Sequence, residues 1–380
     1  MTSELESIKR PTRESNELTL FDMDPDWREH WWGMPEFSMG DASPQRRITI
    51  NFMTDDDVAE FAQKINATIQ PQCNSLWYPY RQRRDLLGYQ YYGEGIVPRY
   101  PVCIPSKGRH ACQTTGTVLD EMGVPYHFFV EETEEDLYKA ALGEDKVIVM
   151  PFHDLGHGSV PARNFIWEWA KERGYSRHWT VDDNILEFCR CNYNSKLRVN
   201  SGGFFTAIES FVDRYENIVM AGPHDRGFVD DRASIAPFLL NSRVYSCILL
   251  DTNINDRWRG RYNEDTDLSL RLLKQGHCTA LFRSLLMRKG GTVGAKTSAM
   301  PGGNTDNVYN TGDHRRAFAE SLKEQHPDVV EVVWKFNRWH HHVDYSPFKK
   351  NKPVLKEGVT PTKTVNEYGM KIVRVKGGEE

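Results

Sequence analysis

No apolar run in this 380-residue chain approaches the roughly 20 residues a bilayer-spanning helix needs. The first residues, MTSELESIKRPTRESNEL, lack the apolar core of a secretory signal. Cysteine is sparse: there are seven, an odd number, and only Cys189 and Cys191 stand close together. A C-x-C is not the C-x-x-C of a zinc site, and the scatter excludes a disulfide framework, so the pair reads as packing residues in a reducing compartment. These absences lead to the expectation of a soluble, cytoplasmic protein. Charge of one sign is also missing, the formal net charge being −5. Residues 1–45 hold ten acids and four bases, and residues 346–380 hold eight bases and four acids. The near-neutral middle neither demands nor forbids a nucleic-acid partner, because a basic groove can sit on a neutral protein. Internal repeats are absent too.

Apolar residues are plentiful at 39%, with 12% aromatic, enough for one large domain plus a small module. Residues 1–45 read as an acidic leader whose aromatic island, FDMDPDWREHWWGMPEF, docks Trp27, Trp31 and Trp32 on the main body. Residues 46–97 are expected to form a small β-α-β accessory module and linker. RRITINF alternates like a strand, Thr54 caps a helix led by Asp55 to Asp57, and SLWYPY is a second strand. Residues 346–380 read as a basic arm, with KIVRVK a short edge strand.

Residues 98–345 alternate strands with helices. PVCIP, VPYHFFVEE, KVIVMPF and HWTVDD are strands, while TTGTVLDEMG and PARNFIWEWAKERG are helices, the latter with proline at its start and glycine at its end. The fold class is therefore α/β, a mostly parallel sheet flanked by helices. Such sheets bind ligands beyond the carboxyl ends of their strands, and there Asp182 and Asp183 follow an apolar run. Two adjacent carboxylates suit a hard divalent cation, Mg²⁺ or Mn²⁺; a polar turn capping the next element is the competing explanation.

Three further stretches bear on this choice. Ile104–Arg109 (IPSKGR) is a strand followed by a turn whose backbone N–H groups, Lys107 and Arg109 suit a diphosphate. Arg163 and Asn164 sit in the first turn of a helix, a place for an anion or a planar base, although on this stretch alone Arg163 pairing with a neighbouring acid is the preferred explanation. Glu264, Asp265 and Asp267 crowd the start of another helix, more acids than capping needs, and one of them suits a general base.

In this order the motifs resemble the GT-A glycosyltransferase fold. More narrowly, IPSKGRH...TTGTVLDEMGVPYHFFVEE, GSVPARNFIWEWA, HWTVDDNI and NEDTDLSLRLLKQG are similar to the phage TET/JBP-associated glycosyltransferases, which are linked to sugar transfer onto hydroxymethylated pyrimidines in DNA. The resemblance covers Pro101 to Leu281 well and the segment to Tyr345 loosely. It implies a UDP-sugar or similar donor contacted by Pro105, Ser106, Lys107 and Arg109, with Arg163 and Asn164 near its base or ribose. It implies metal on Asp183, with Asp182 on metal or ribose, and Asp265 as base with Glu264 beside it. It further implies an acceptor such as 5-hydroxymethylcytosine in phage DNA. Asn184 occupies the third position of the usual DxD, which leaves open which aspartate is the main ligand. The Glu-Asp pair leans towards inversion.

A duplex acceptor needs cations and an unstacking element. Candidates are Arg259 and Arg261 in WRGR, Arg288 and Lys289 in LFRSLLMRKGG, the loop GGTVGAKTSAMPGGN and the strip YRQRRD. His340 to His342, and His153 with His157, invite a metal assignment, but adjacent strand residues point to opposite faces, so phosphate contact or packing ranks above it. The rivals are a glycosyltransferase with a non-DNA acceptor, a nucleotidyltransferase, and a non-catalytic DNA-binding protein on the same fold.

Overall fold

A computed structural model describes residues 27–42, 44–73, 75–78, 86–290 and 314–375. Its strands are β1 (Tyr89–Tyr92), β2 (Val102–Pro105), β3 (His127–Glu131), β4 (Val147–Met150), β5 (Arg177–Val181), β6 (Ile185–Asn192), β7 (Ser195–Asn200), β8 (Ile218–Asp225), β9 (Phe238–Leu240), β10 (Cys247–Asp251), β11 (Cys278–Lys289), β12 (Val330–Lys335), β13 (Arg338–Val343) and β14 (Lys371–Arg374). The helices are α1 (Asp55–Lys64), α2 (Thr114–Glu121), α3 (Glu135–Leu142), α4 (Val160–Glu172), α5 (Gly203–Val212), α6 (Glu264–Lys274) and α7 (Arg315–Gln325).

One sheet runs in the order β14-β1-β7-β6-β11-β8-β10-β5-β2-β3-β4, with β9 also paired to β11. The ladders β5-β2-β3-β4 are parallel throughout. Following the pairings across the sheet, β1 to β5, β7, β8 and β11 point one way, and β6, β9, β10 and β14 the other. Eight of the twelve strands thus share one direction, so most carboxyl ends open onto one edge. Both faces are covered, as parallel strands require. Along β10, Leu249 enters the core built on Phe188, Phe204, Phe205 and Phe211. Its neighbours Ile248 and Leu250 enter a second core with Trp167, Leu268 and Leu272. Alternation along a strand sends consecutive side chains to opposite faces.

The segment before β1 departs from its expected form. α1 forms where its capping signals lie, with Thr54 accepting from the Asp57 N–H at 3.2 Å and Asp57 returning a bond from the Thr54 N–H at 2.9 Å. RRITINF and Leu76–Tyr78 carry no strand, so no β-α-β unit is described. The alternating pattern lacks a neighbouring edge: Ile48, Ile50 and Met53 are exposed, and α1 buries none of its side chains. The strip 80–85 lies outside the described residues.

The two ends of the chain close onto the sheet. Trp31 stacks on Phe238, centroids 5.9 Å apart at 18°, inside the main core, and its Nε1 donates to the Pro35 carbonyl at 2.8 Å. The arm places β14 antiparallel to β1, and the Tyr368 hydroxyl donates to the Gly33 carbonyl at 2.9 Å. A separate two-stranded hairpin, β12-β13, carries α7 packed against it.

Candidate active site

β2 ends in the turn Ser106–Arg109, which Gly108 permits by adopting φ +68°. α3 holds this turn from below. The Tyr138 hydroxyl lies 2.7 Å from Ser106 Oγ and accepts from the Arg109 N–H at 3.0 Å, while Glu134 accepts from the Gly108 N–H at 2.8 Å. Those amides are therefore engaged within the protein. The turn offers side chains rather than the open backbone nest its sequence suggested. Lys107 donates to Glu131 at 2.6 Å on the rim.

The strand-end acids are compensated by cations from three distant segments. Asp183, 7% exposed, accepts from Ser106 Oγ at 2.6 Å through one oxygen and pairs with Arg109 through the other. Asp182 points differently, accepting from Arg163 Nη2 at 3.0 Å and from Lys289 Nζ at 2.7 Å; Lys289 also donates to Ser246 Oγ at 2.8 Å. Burial pushes both carboxyls up. At Asp183 burial prevails over Arg109 and Ser106, whereas at Asp182 Lys289 and Arg163 prevail and hold it below the ordinary range. The repulsion between the two carboxylates is met by opening them onto separate partners.

α4 brings Arg163, 5% exposed, into the same place, its guanidinium 4.7 Å over the Trp258 ring. Its Nε and Nη1 are buried without a hydrogen-bond partner. Asn164 turns away, donating to the Trp258 carbonyl and accepting from the Trp258 N–H, both at 2.9 Å. It anchors the following loop and does not line the cleft.

α6 starts after Asn263, whose left-handed φ of 54° turns the chain sharply into the helix. Its three acids divide. Glu264 accepts from Ser159 Oγ at 3.0 Å and lies 3.9 Å from Arg163; burial pushes its carboxyl up, Arg163 opposing and Asp265 reinforcing the shift. Asp265 accepts from the Thr266 N–H at 2.7 Å. Asp267 is buried away from the cleft, held by His326 Nε2 at 2.9 Å, by Arg259 and by Arg271. Arg243, His341 and Tyr345 face Asp265 electrostatically from other elements, and burial pushes His341 down to about 4, so its imidazole is neutral near pH 7.

One cleft of about 490 Å³, within the range of small-ligand sites, opens between these elements. Pro105, Ser106, Lys107, Arg109, Arg163, Asp182, Asp183, Glu264 and Asp265 all border it. Of the expected DNA-contacting cations, Arg261 and Lys289 border the cleft. Lys289 is thus turned inwards to Asp182. Arg259 grips Asp267, and Arg288 donates to Glu187 at 2.7 Å. Residues 291–304, which hold nearly all of the Gly-rich loop, lie outside the described residues. Sequence reading missed Ser159, Arg243, Ser246 and Tyr262, for which no spacing gave a signal.

Among the described residues no group of three His, Cys, Asp or Glu side chains is arranged to hold a metal. His153 pairs with Glu132 at 2.7 Å, and His340 accepts from Arg338 at 2.9 Å. Asp182, Asp183 and Asn184 nonetheless form an oxygen-only set bordering the cleft, and Asn184 Oδ1 is a buried acceptor without a partner. Such a set fits a hard divalent cation that draws its remaining ligands from phosphate and water. Cys189 and Cys191 are buried thiols packed with Val229 and Leu286.

A family model described as TET-Associated Glycosyltransferase matches residues 100–298, just over half of the chain. No curated protein matches it.

Proposed function

The chain belongs to the TET-associated glycosyltransferase family, and from that premise we propose that it moves a sugar from a nucleotide-diphosphate donor to the hydroxyl of a hydroxymethylated pyrimidine in DNA. The fold we assign is GT-A-like, a UDP-sugar the first donor to test, and 5-hydroxymethylcytosine in phage DNA the first acceptor. A DNA acceptor puts the reaction in the cytoplasm of the cell holding that DNA. One observation carries the reading: the β2 turn, the α4 start, the β5 end and the α6 start, spread over some 160 residues, border a single cleft.

Ser106 and Arg109 bind the nucleotide end, with Arg163 offering its two unpartnered nitrogens to donor oxygens. Lys289 and Lys107 offset charge on the diphosphate as it leaves. Asp182, Asp183 and Asn184 would hold Mn²⁺ or Mg²⁺, which supplies further charge neutralisation at the diphosphate when bound. Asp265 takes the proton of the acceptor hydroxyl. The freed oxygen pair bonds to the anomeric carbon, and the bond from that carbon to the diphosphate oxygen breaks with its electrons staying on the diphosphate. Attack opposite the leaving group inverts the anomeric centre. Arg243, which borders the cleft, and the neutral His341 both lie within electrostatic reach of Asp265.

The test is incubation with a panel of nucleotide sugars, Mn²⁺ and hydroxymethylcytosine DNA, followed by digestion to nucleosides. Sugar-bearing nucleoside with release of nucleoside diphosphate is the expected product. Nucleoside diphosphate release without a modified nucleoside would move the acceptor elsewhere, and release of sugar 1-phosphate in place of nucleoside diphosphate would mark nucleotidyl transfer.

A further inference from the structure

We propose that the β12-β13 hairpin is a duplex-opening wedge: the Phe336 ring enters the base stack while Lys335 and Arg338 engage the flanking phosphates. This deepens the reading above and rests on its DNA acceptor.

The hairpin has features that are costly within the chain itself. Six residue pairs run from Val330↔Val343 to Lys335↔Arg338, and the turn is only two residues long. Phe336 and Asn337 both adopt left-handed backbone, φ 53° and 56°, the geometry of a turn that favours asparagine and glycine. An aromatic residue there is strained. The Phe336 side chain is 86% exposed, and Trp334 beside it is 56% exposed. Lys335 and Arg338 stand directly opposite each other, a like-charge pairing that destabilises a ladder. Strain, exposed aromatic surface and cation repulsion thus meet at one tip. A ligand that answers all three presents flat faces for stacking between rows of negative charge, which describes a nucleic-acid duplex.

The rest of the hairpin is built to hold that tip stiffly beside the cleft. Trp334 and Trp339 meet edge to face at 5.2 Å across the ladder, and Arg316 of α7 lies 5.0 Å over the Trp339 ring. From the same helix Phe318 stacks on Tyr262 at 3.7 Å, and both border the cleft. Further along β13, His341 lies within electrostatic reach of Asp265 and Arg243. The five residue steps from Phe336 to His341 span about 17 Å of strand. A duplex that reaches along β13 from the site would meet the tip. An enzyme acting on a base must take that base out of the stack, and a ring that fills the gap holds the duplex open.

The experiment compares the full chain with Phe336→Gly and with the pair Lys335→Glu and Arg338→Glu. Glycine accepts the left-handed turn, so the first variant keeps its hairpin while losing the ring. Expected for Phe336→Gly is a loss of about tenfold or more in transfer to hydroxymethylcytosine in duplex DNA, with transfer to a single-stranded oligonucleotide unchanged. The fluorescence rise of 2-aminopurine next to the target base, seen on binding the parent protein, should also vanish. The charge-reversed pair should weaken duplex binding and flatten its salt dependence. Unchanged duplex transfer and unchanged fluorescence in Phe336→Gly would overturn the wedge while leaving the acceptor standing. Duplex binding indifferent to the charge reversal would overturn it too and point the tip at a protein partner. Absence of transfer to any DNA, with donor hydrolysis intact, would remove the acceptor reading itself.

Discussion

The Lys289 ammonium donates to Asp182 Oδ2 at 2.7 Å, joining residues 107 positions apart. This contact brings the end of β11 to the end of β5 and gives Asp182 a cationic partner from within the chain.

Lys289 and a divalent metal should therefore compete for Asp182. Titration calorimetry is expected to show weak Mn²⁺ binding to the parent protein alone and tighter binding to Lys289→Met. The same substitution should weaken donor binding by about tenfold or more through loss of a charged hydrogen bond. Equal Mn²⁺ affinity in the two proteins would mean the lysine does not occupy the metal's place.

Asp265 and Glu264 should separate kinetically. Asp265→Asn is expected to lower kcat by about 10²- to 10⁴-fold with little change in donor KM, as removal of a general base does. Glu264→Gln, which lies with Arg163 and Ser159, should act mainly on donor KM. A larger kcat loss in the glutamate variant would exchange the two roles.

Asp267 should make the fold acid-sensitive. Burial works against its charge, but His326, Arg259 and Arg271 prevail and hold its carboxyl well below the ordinary value of 3.8. A depressed folded-state value means its contribution is complete above about pH 4 and is lost as pH falls from there towards that value. Asp267→Asn should cost about 3–5 kcal/mol at neutral pH, because it strips the buried partners of their counter-charge. It should also flatten the acid limb of the stability curve. Denaturant unfolding between pH 3 and 7 decides, and a parallel loss at every pH would contradict the linkage.

Trp31 should matter to the whole core although it precedes the family-matched region. Its ring packs among Phe211, Phe238 and Phe282, so Trp31→Ala is expected to cost about 3–5 kcal/mol in urea unfolding. A change below about 1 kcal/mol would show the leader to be dispensable to the fold.

Much was legible in the chain because the signals were local. β2 to β5 read as short apolar runs, α4 carried its proline start, and α6 its leading acids; periodicity and capping act over a few residues. Local signals failed where a strand needs a neighbour: RRITINF has the alternation but no adjacent edge, whereas Tyr89–Tyr92 became β1 because β7 and β14 flank it.

By itself the sequence determined which side chains are candidates for the site: two acids ending β5, two opening α6, and a cationic turn after β2, all of which border the one cleft. Tertiary structure decided their partners. It turned Lys289 inwards to Asp182, Arg259 onto Asp267 and Asn164 onto Trp258, and it divided the α6 acids between cleft and core. The physical reason is that a charge taken out of water must find an opposite charge or a donor, and these came from segments remote in sequence that only the folded sheet brings together.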